Sequence, residues 1–390
     1  MVASLSDCAS KWVAVEISDA LSDTPRVLDL LINRIGRFAA VLAVALLAAA
    51  LGGCGKDKAP TKPAPNYRTY FMGFSSFPPR PTIASILETI DAFAPHSEYG
   101  MILAEPPWDS LLAGRPPDSL ILANQVGLAA YFRGKGLRVI VSVDATNGLD
   151  RASDSAALVA AGRSLTEPAI QALYRAYVTA MDTLIHPDYL SVASETNLIR
   201  LLAPAALYDA VVAVANGAAA DVRAHDATVR IFTTIQVETA WGRLGGPGPY
   251  VGIDTDRADF PFMQVLGLSS FPYLGGYTDP DSVPIDYYSR LTEGSPLPEV
   301  VIEGGWSSDS TLTPAWNVES QKRYITRHAA ILDHSAAIGW FQITYTDLDA
   351  ASLGLPPSAA IFTSLGLVDV DLNPKPALVA WDAVHARPRP

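Results

Sequence analysis

The stretch Glu299-Val-Val-Ile-Glu-Gly-Gly-Trp-Ser-Ser308 decides how this chain is read. Val300, Val301 and Ile302 form a short, wholly apolar, β-branched run, the composition of a strand covered on both faces in a parallel sheet. A carboxylate, Glu303, follows at once, then two glycines and Trp306. Burying an unpaired carboxylate at the end of a core strand costs roughly several kcal/mol or forces it to take a proton. The position makes sense where the strand ends at a functional opening. Tyr189-Leu-Ser-Val-Ala-Ser-Glu-Thr-Asn197 repeats the pattern earlier in the chain and puts Glu195 in the matching place.

Outward from these two strands, strand-like and helix-like segments alternate. Strands are predicted at 67–74, 100–103, 137–143, 189–193, 229–235, 265–271, 300–302 and 338–344. Helical spacing of apolar residues marks 82–93, 118–132, 167–185, 204–225, 285–291, 317–332 and 376–385. Eight strand-then-helix units predict a single α/β domain, a (β/α)8 TIM barrel over residues 67–390. An open doubly wound sheet would carry a glycine-rich phosphate loop after its first strand, and Gly73-Phe-Ser-Ser-Phe-Pro-Pro79 is not one. The same Gly-x-Ser-Ser-Phe-Pro pattern recurs at Gly267-Leu-Ser-Ser-Phe-Pro272. In a barrel the active site lies at the C-terminal strand ends, where Glu195 and Glu303 both fall.

Composition bounds the function. The 390 residues are 49% hydrophobic and carry a net charge of −12, enough apolar residue for one large core. A nucleic-acid binder shows a basic patch, and this chain has no such run. The two cysteines, Cys8 and Cys54, and the scattered histidines offer neither a structural disulfide nor a metal motif, so no cofactor or metal is expected.

Residues 1–53 read as a targeting segment. Arg34 and Arg37 precede the apolar run 38–51, too short for a comfortable bilayer span of about 18 residues or more and suited to a signal peptide. The run ends Leu51-Gly-Gly-Cys54, which resembles the lipobox of bacterial lipoproteins. The resemblance implies lipidation at Cys54 and an extracytoplasmic, membrane-anchored monomer at the cell envelope. Residues 54–66, rich in proline and lysine, read as a tether. Residues 1–33 lie upstream of an ordinary signal, so the translation start is read as lying further in.

Three motifs resemble the clan of retaining (β/α)8 glycoside hydrolases. Val301-Ile-Glu303-Gly-Gly-Trp306-Ser-Ser is similar to the Glu-Thr-Gly-Trp-Pro-Ser motif of the arabinogalactan endo-β-1,4-galactanases and plant-type endo-β-glucanases. Val265-Leu-Gly-Leu-Ser-Ser-Phe-Pro-Tyr273 resembles the sixth strand of the galactanases. Pro374-Lys-Pro-Ala-Leu-Val-Ala-Trp381 resembles the closing helix of the clan. The resemblance implies a β-glycosidase with Glu195 as general acid/base, Glu303 as nucleophile and a galactan-like carbohydrate substrate. Retention needs the two carboxyls about 5–5.5 Å apart and in different environments, one protonated and one ionised.

Two features depart from the clan, one before Glu195 and one on the sixth strand. Ser194 stands where an asparagine would bind the sugar 2-hydroxyl, and Ser270 and Phe271 replace strand-six tyrosines. These departures keep a second reading open, a glycan-binding lipoprotein without turnover on the same barrel. An envelope lipoprotein with no ligand is a third. Further candidates for sugar contact are the indoles Trp108, Trp241 and Trp306, since sugar C–H faces stack on rings. Asp144, Asn147, Asn197, Gln236, Glu238, Tyr273, Tyr345 and Asp347 follow predicted strand ends and complete the set. Trp340, early in its strand, is expected in the core.

Overall fold

The computed structural model describes residues 67–313 and 315–390. The targeting segment, Cys54 and the tether lie outside the described residues. Nine parallel strands make one sheet: β1 (Phe71–Ser75), β2 (Tyr99–Ala104), β3 (Arg138–Val143), β4 (Tyr189–Ser191), β5 (Arg230–Phe232), β6 (Thr234–Gln236), β7 (Leu266–Ser270), β8 (Glu299–Gly304) and β9 (Gly339–Gln342). Their order is β5-β4-β3-β2-β1-β9-β8-β7-β6.

The two ends of that order are consecutive pieces of chain, separated only by Thr233. Thr234 N–H donates to Ala193 O at 3.0 Å, and Gly267 N–H donates to Thr233 O at 3.1 Å, so the sheet is stitched on both sides of the break. The sheet rolls into a barrel whose fifth strand is β5 plus β6. The fold is the expected (β/α)8 barrel.

Helices cover its outside for sequence-local reasons. Ile83–Phe93 starts at Thr82, whose hydroxyl accepts from Ser85 N–H at 3.1 Å as an N-cap. Pro168–Ile185 has proline at its first position and buries Ile170, Tyr174, Tyr177, Met181 and Ile185 on one face. Val318–Ser335 opens with a capping box between Asn317 and Ser320. Two expectations are corrected. The 118–132 helix is two, Pro117–Asn124 and Val126–Gly134, meeting at Gln125. No α-helix forms over 285–291, where the chain between β7 and β8 makes only short 3-10 turns. Pro272, Pro280 and Pro284 remove the N–H donors a longer helix there would use.

The barrel interior is filled with rings. Phe71, Tyr99 and Tyr189, each the first residue of its strand, meet there, with 4.1 Å between the Phe71 and Tyr99 ring centres. They plug the N-terminal end. Glycine is required opposite such rings: a β-carbon on Gly339 would lie 2.4 Å from Phe71 Cζ, and one on Gly267 would lie 2.7 Å from Phe232 Cδ2. Trp340 is buried in the outer layer as expected, 4.6 Å from Trp381 between ring centres.

Candidate active site

Two local irregularities bring the carboxylates to the barrel mouth. In β8, Val300 and Ile302 face the barrel interior and Val301 packs outward. Strict alternation would send Glu303 outward with Val301. A bulge intervenes: Leu268 is opposite Val301 but Ser269 is opposite Glu303, so β8 holds one extra residue there. Bulges re-aim side chains in this way, and Glu303 turns inward beside Ser269.

Glu195 lies four residues beyond β4, with φ 48° and ψ 47°, a left-handed conformation uncommon for any residue but glycine. Its N–H donates to Thr234 Oγ1 at 2.7 Å. Asn197 splices the next turn to β6, its amide accepting from Gln236 N–H at 2.8 Å and donating to Gln236 O at 2.9 Å.

The electrostatics are lopsided. Arg151, buried, donates through Nε to Glu195 Oε2 at 2.9 Å and through Nη1 to both Asp144 oxygens at 2.7 Å. Ser269 Oγ donates to Glu195 Oε1 at 2.7 Å, and Ser269 lies opposite Glu303 in the β7–β8 ladder. A hydroxyl has one proton to give, and Ser269 gives it to Glu195. Burial above all, then the Glu195 charge, hold the Glu303 carboxyl far above the ordinary carboxylate range, with Arg151 offsetting only part. Burial also raises Glu105, which accepts from the Ser155 hydroxyl. A single guanidinium thus serves Glu105, Asp144, Glu195 and Glu303.

These groups, with Ser194 and Phe271, line one end of a cavity of about 520 Å³ at the C-terminal strand ends. Of the residues expected at the site, the structure brings together Glu195, Glu303, Ser194 and Asp144. The others serve the scaffold, each for a visible reason. Trp108, Trp241 and Trp306 are 1%, 9% and 0% exposed and are no sugar platforms. Trp108 stacks on Tyr174, Trp241 donates to Tyr287 O at 2.9 Å, and Trp306 meets Tyr273 and Tyr324.

Gln236 caps the turn at Thr239. Glu238 is fully buried and accepts from Gln236 and from Tyr287 OH. Ser270 accepts from Tyr288 OH at 3.0 Å, and Tyr273 OH donates to Ile361 O at 3.1 Å. Tyr345 packs edge-on against Phe74, and Asp347 pairs with Lys375 at 2.6 Å. Asn147 accepts from Leu149 and Asp150 N–H groups and shapes its own loop. Sequence reasoning missed Arg151 and Glu105 and chose Ser270 over its neighbour Ser269, although the recurring Gly-x-Ser-Ser-Phe-Pro pattern at 267–272 holds both. Glu105 also carried a signal, a carboxylate directly after a strand, as at Glu303.

Fold and site together define a (β/α)8 barrel with a paired-carboxylate cleft at its strand ends. No family model matches the chain, and no curated protein matches it in sequence. Solved structures do. An exo-β-1,4-mannosidase from Opitutaceae bacterium strain TAV5 superposes with TM-score 0.60 at 17% identity, covering 82% of this chain and 59% of that one. A β-glucuronidase from Dictyoglomus thermophilum gives 0.56 at 12%, covering 82% and 51%. A β-glucuronidase from Ruminococcus gnavus gives 0.54 at 13%, covering 82% and 50%. The likeness is one of fold, and the chain spans half to three-fifths of the length of these structures.

Proposed function

We propose that the barrel hydrolyses β-glycosidic bonds by retaining double displacement, with Glu195 and Glu303 as the working pair. One observation carries the reading: two carboxylates line one end of a single cavity and are treated unequally, Glu195 paired with Arg151 and Ser269, Glu303 buried with no cation of its own. Glycosidic cleavage needs such a pair, one group protonated and one ionised.

At rest the proton sits on Glu303, the reverse of the roles the sequence motifs imply. Ser269, whose hydroxyl donates to Glu195 and which lies opposite Glu303 in the ladder, offers a path between them. Passing one proton along it leaves Glu303 ionised to attack the anomeric carbon and Glu195 protonated to release the leaving oxygen. The glycosyl–Glu303 ester then has no charge, and Glu195 takes a proton from the incoming water. Ser269 is thus a positioning residue for that transfer.

The substrate is a neutral β-glycoside. An excess of carboxylates around one arginine repels a uronic acid, which separates this site from the glucuronidases it resembles in fold. A galactose-type sugar rests on the motifs at 265–273 and 301–308. The test is hydrolysis of aryl β-galactosides followed by NMR of the first-formed anomer. Glu195→Gln and Glu303→Gln should each abolish turnover. With azide, Glu195→Ala should yield the β-glycosyl azide and Glu303→Ala the α-azide. Swapped products would reverse the roles.

A second reading, glycan binding without turnover, is favoured by Arg151, which already engages Glu195 Oε2 at 2.9 Å. Wild-type protein that binds a glycan yet cleaves none of a broad panel would establish it. We further place the protein at the bacterial envelope through a lipid on Cys54. Metabolic labelling with palmitate should mark wild type and spare Cys54→Ser.

A further inference from the structure

The cavity has two chemically different ends. Beyond the carboxylates its walls are aliphatic, with Ile83, Ile86 and Leu87 from the first helix, Leu128 from the helix Val126–Gly134, and Leu353 and Leu355 from the segment after β9. Each of the six is half-buried. Ile83, Ile86 and Leu87 stand at i, i+3 and i+4, a stripe distinct from the buried face Ser85, Thr89, Ile90 and Phe93. The helix therefore turns two hydroxyl side chains inward and gives three aliphatic ones to the cavity. A helix serving only the core would do the opposite.

The far wall is tied in place. Asp349 N–H donates to Pro79 O at 3.0 Å, and Arg80 pairs with Asp371 at 2.8 Å. An apolar void of about 150 Å³ holds one benzene-sized ring. The 520 Å³ here leaves room for a sugar at the carboxylates and a larger apolar group beyond it. The aliphatic end is continuous with the carboxylates, so what fills it is bonded to the sugar being cleaved.

We propose that the substrate's leaving group is an uncharged apolar chain or ring, seated on the Ile83–Leu87 stripe against Leu128 and Leu353, so that the enzyme acts on glycosides of lipid-like alcohols. This deepens the glycosidase reading and rests on it, and a binding experiment separates the two. Full-length Glu303→Gln protein, which should not turn over, is titrated calorimetrically with methyl, hexyl and octyl β-galactosides below their micellar concentrations. Affinity should rise about fourfold per methylene over the first few carbons, making octyl at least about a hundredfold tighter than methyl.

Adding Leu128→Ser or Leu353→Ser, which come from different segments lining the cavity, should each cut that preference at least about fivefold, with melting curves confirming folded protein. Equal affinity for methyl and octyl overturns the proposal. So does a preference that both serine variants keep, which would be detergent binding elsewhere. Octyl binding that emerges only when the apolar run 38–51 is deleted would assign the lobe to that run instead, and also overturns it. If octyl binds as expected while wild type hydrolyses neither methyl nor octyl β-galactoside, the glycosidase reading falls and the lobe stands as a glycolipid site.

Discussion

Replacing Arg151 with methionine isolates what holds the site together. The side chain is 5% exposed and touches two carboxylates, Glu195 at 12% and Asp144 at 21% side-chain exposure. Methionine keeps the bulk and removes the charge. Breaking a buried pair from one side costs about 3–5 kcal/mol, because the partner is left uncompensated. Unfolding entropy is about 2.1 cal/mol/K per residue. For the roughly 320 described residues, that loss lowers Tm by about 4–7 °C.

The pH dependence is the sharper readout. Without the guanidinium, nothing offsets the burial and the Glu195 charge that already hold the Glu303 carboxyl above the ordinary carboxylate range, and it rises further. The folded state then holds more protons than the unfolded one, so the variant loses stability as pH rises through and above the carboxylate range. The Tm deficit should therefore be small at pH 5 and full at pH 8. Adding Glu195→Gln to Arg151→Met should recover more than half of the deficit at pH 8. Melts of wild type and both variants at the two pH values decide it. An equal deficit at pH 5 and pH 8, or a double variant no better than the single, would refute the charge account.

Ser269→Ala removes the hydroxyl that donates to Glu195; kcat on an aryl β-glycoside should fall about 10–100-fold with KM unchanged, and a change in KM alone would make Ser269 a binding residue. Glu238, pushed up to about 7 by burial, costs the folded state stability as pH rises from about 4.5 to 7. Glu238→Gln should accordingly be more stable than wild type at pH 8, by about 1–3 kcal/mol in urea unfolding, with the gain vanishing near pH 4.5; a pH-independent difference would contradict the buried-acid assignment. Trp306→Ala should cost about 3–5 kcal/mol of stability and leave KM at the wild-type value in protein that still folds, whereas a raised KM would return the indole to the substrate.

What could be read from the sequence was what depends on pattern. A strand-like run followed by a carboxylate marked both β8 and the β4 turn, and alternating strand and helix periods marked the barrel. Direction was not readable. Trp108, Trp241 and Trp306 all follow strand ends, but adjacency to a strand end does not say which way an indole points, and all three turn into packing between helices and loops. Asn197 looks like a sugar ligand beside Glu195, yet its amide geometry matches the backbone of Gln236. Arg151 stood seven residues beyond Asp144 in a polar loop, where any cation could serve solvent. The β8 bulge was invisible as well, because Val300-Val-Ile-Glu303 reads as unbroken strand.

The site contains conformations and charges that a scaffold would avoid. Glu195 adopts a left-handed backbone that costs about 1–3 kcal/mol in a residue with a β-carbon. Glu303 is brought inward only by breaking the ladder between β7 and β8, and once there it meets a like charge without a cation of its own. Each feature lowers stability, and each would be relieved by a conservative substitution, glycine at 195 or glutamine at 303. The rings at the N-terminal end of the barrel show no such compromise, with glycine at both positions where Phe71 and Phe232 need the space. Backbone strain, a broken ladder and unequal burial brought together in one carboxylate pair at the strand ends are what a reacting centre requires. A ligand-free envelope scaffold would gain nothing from them, which is why the catalytic reading stands ahead of that one.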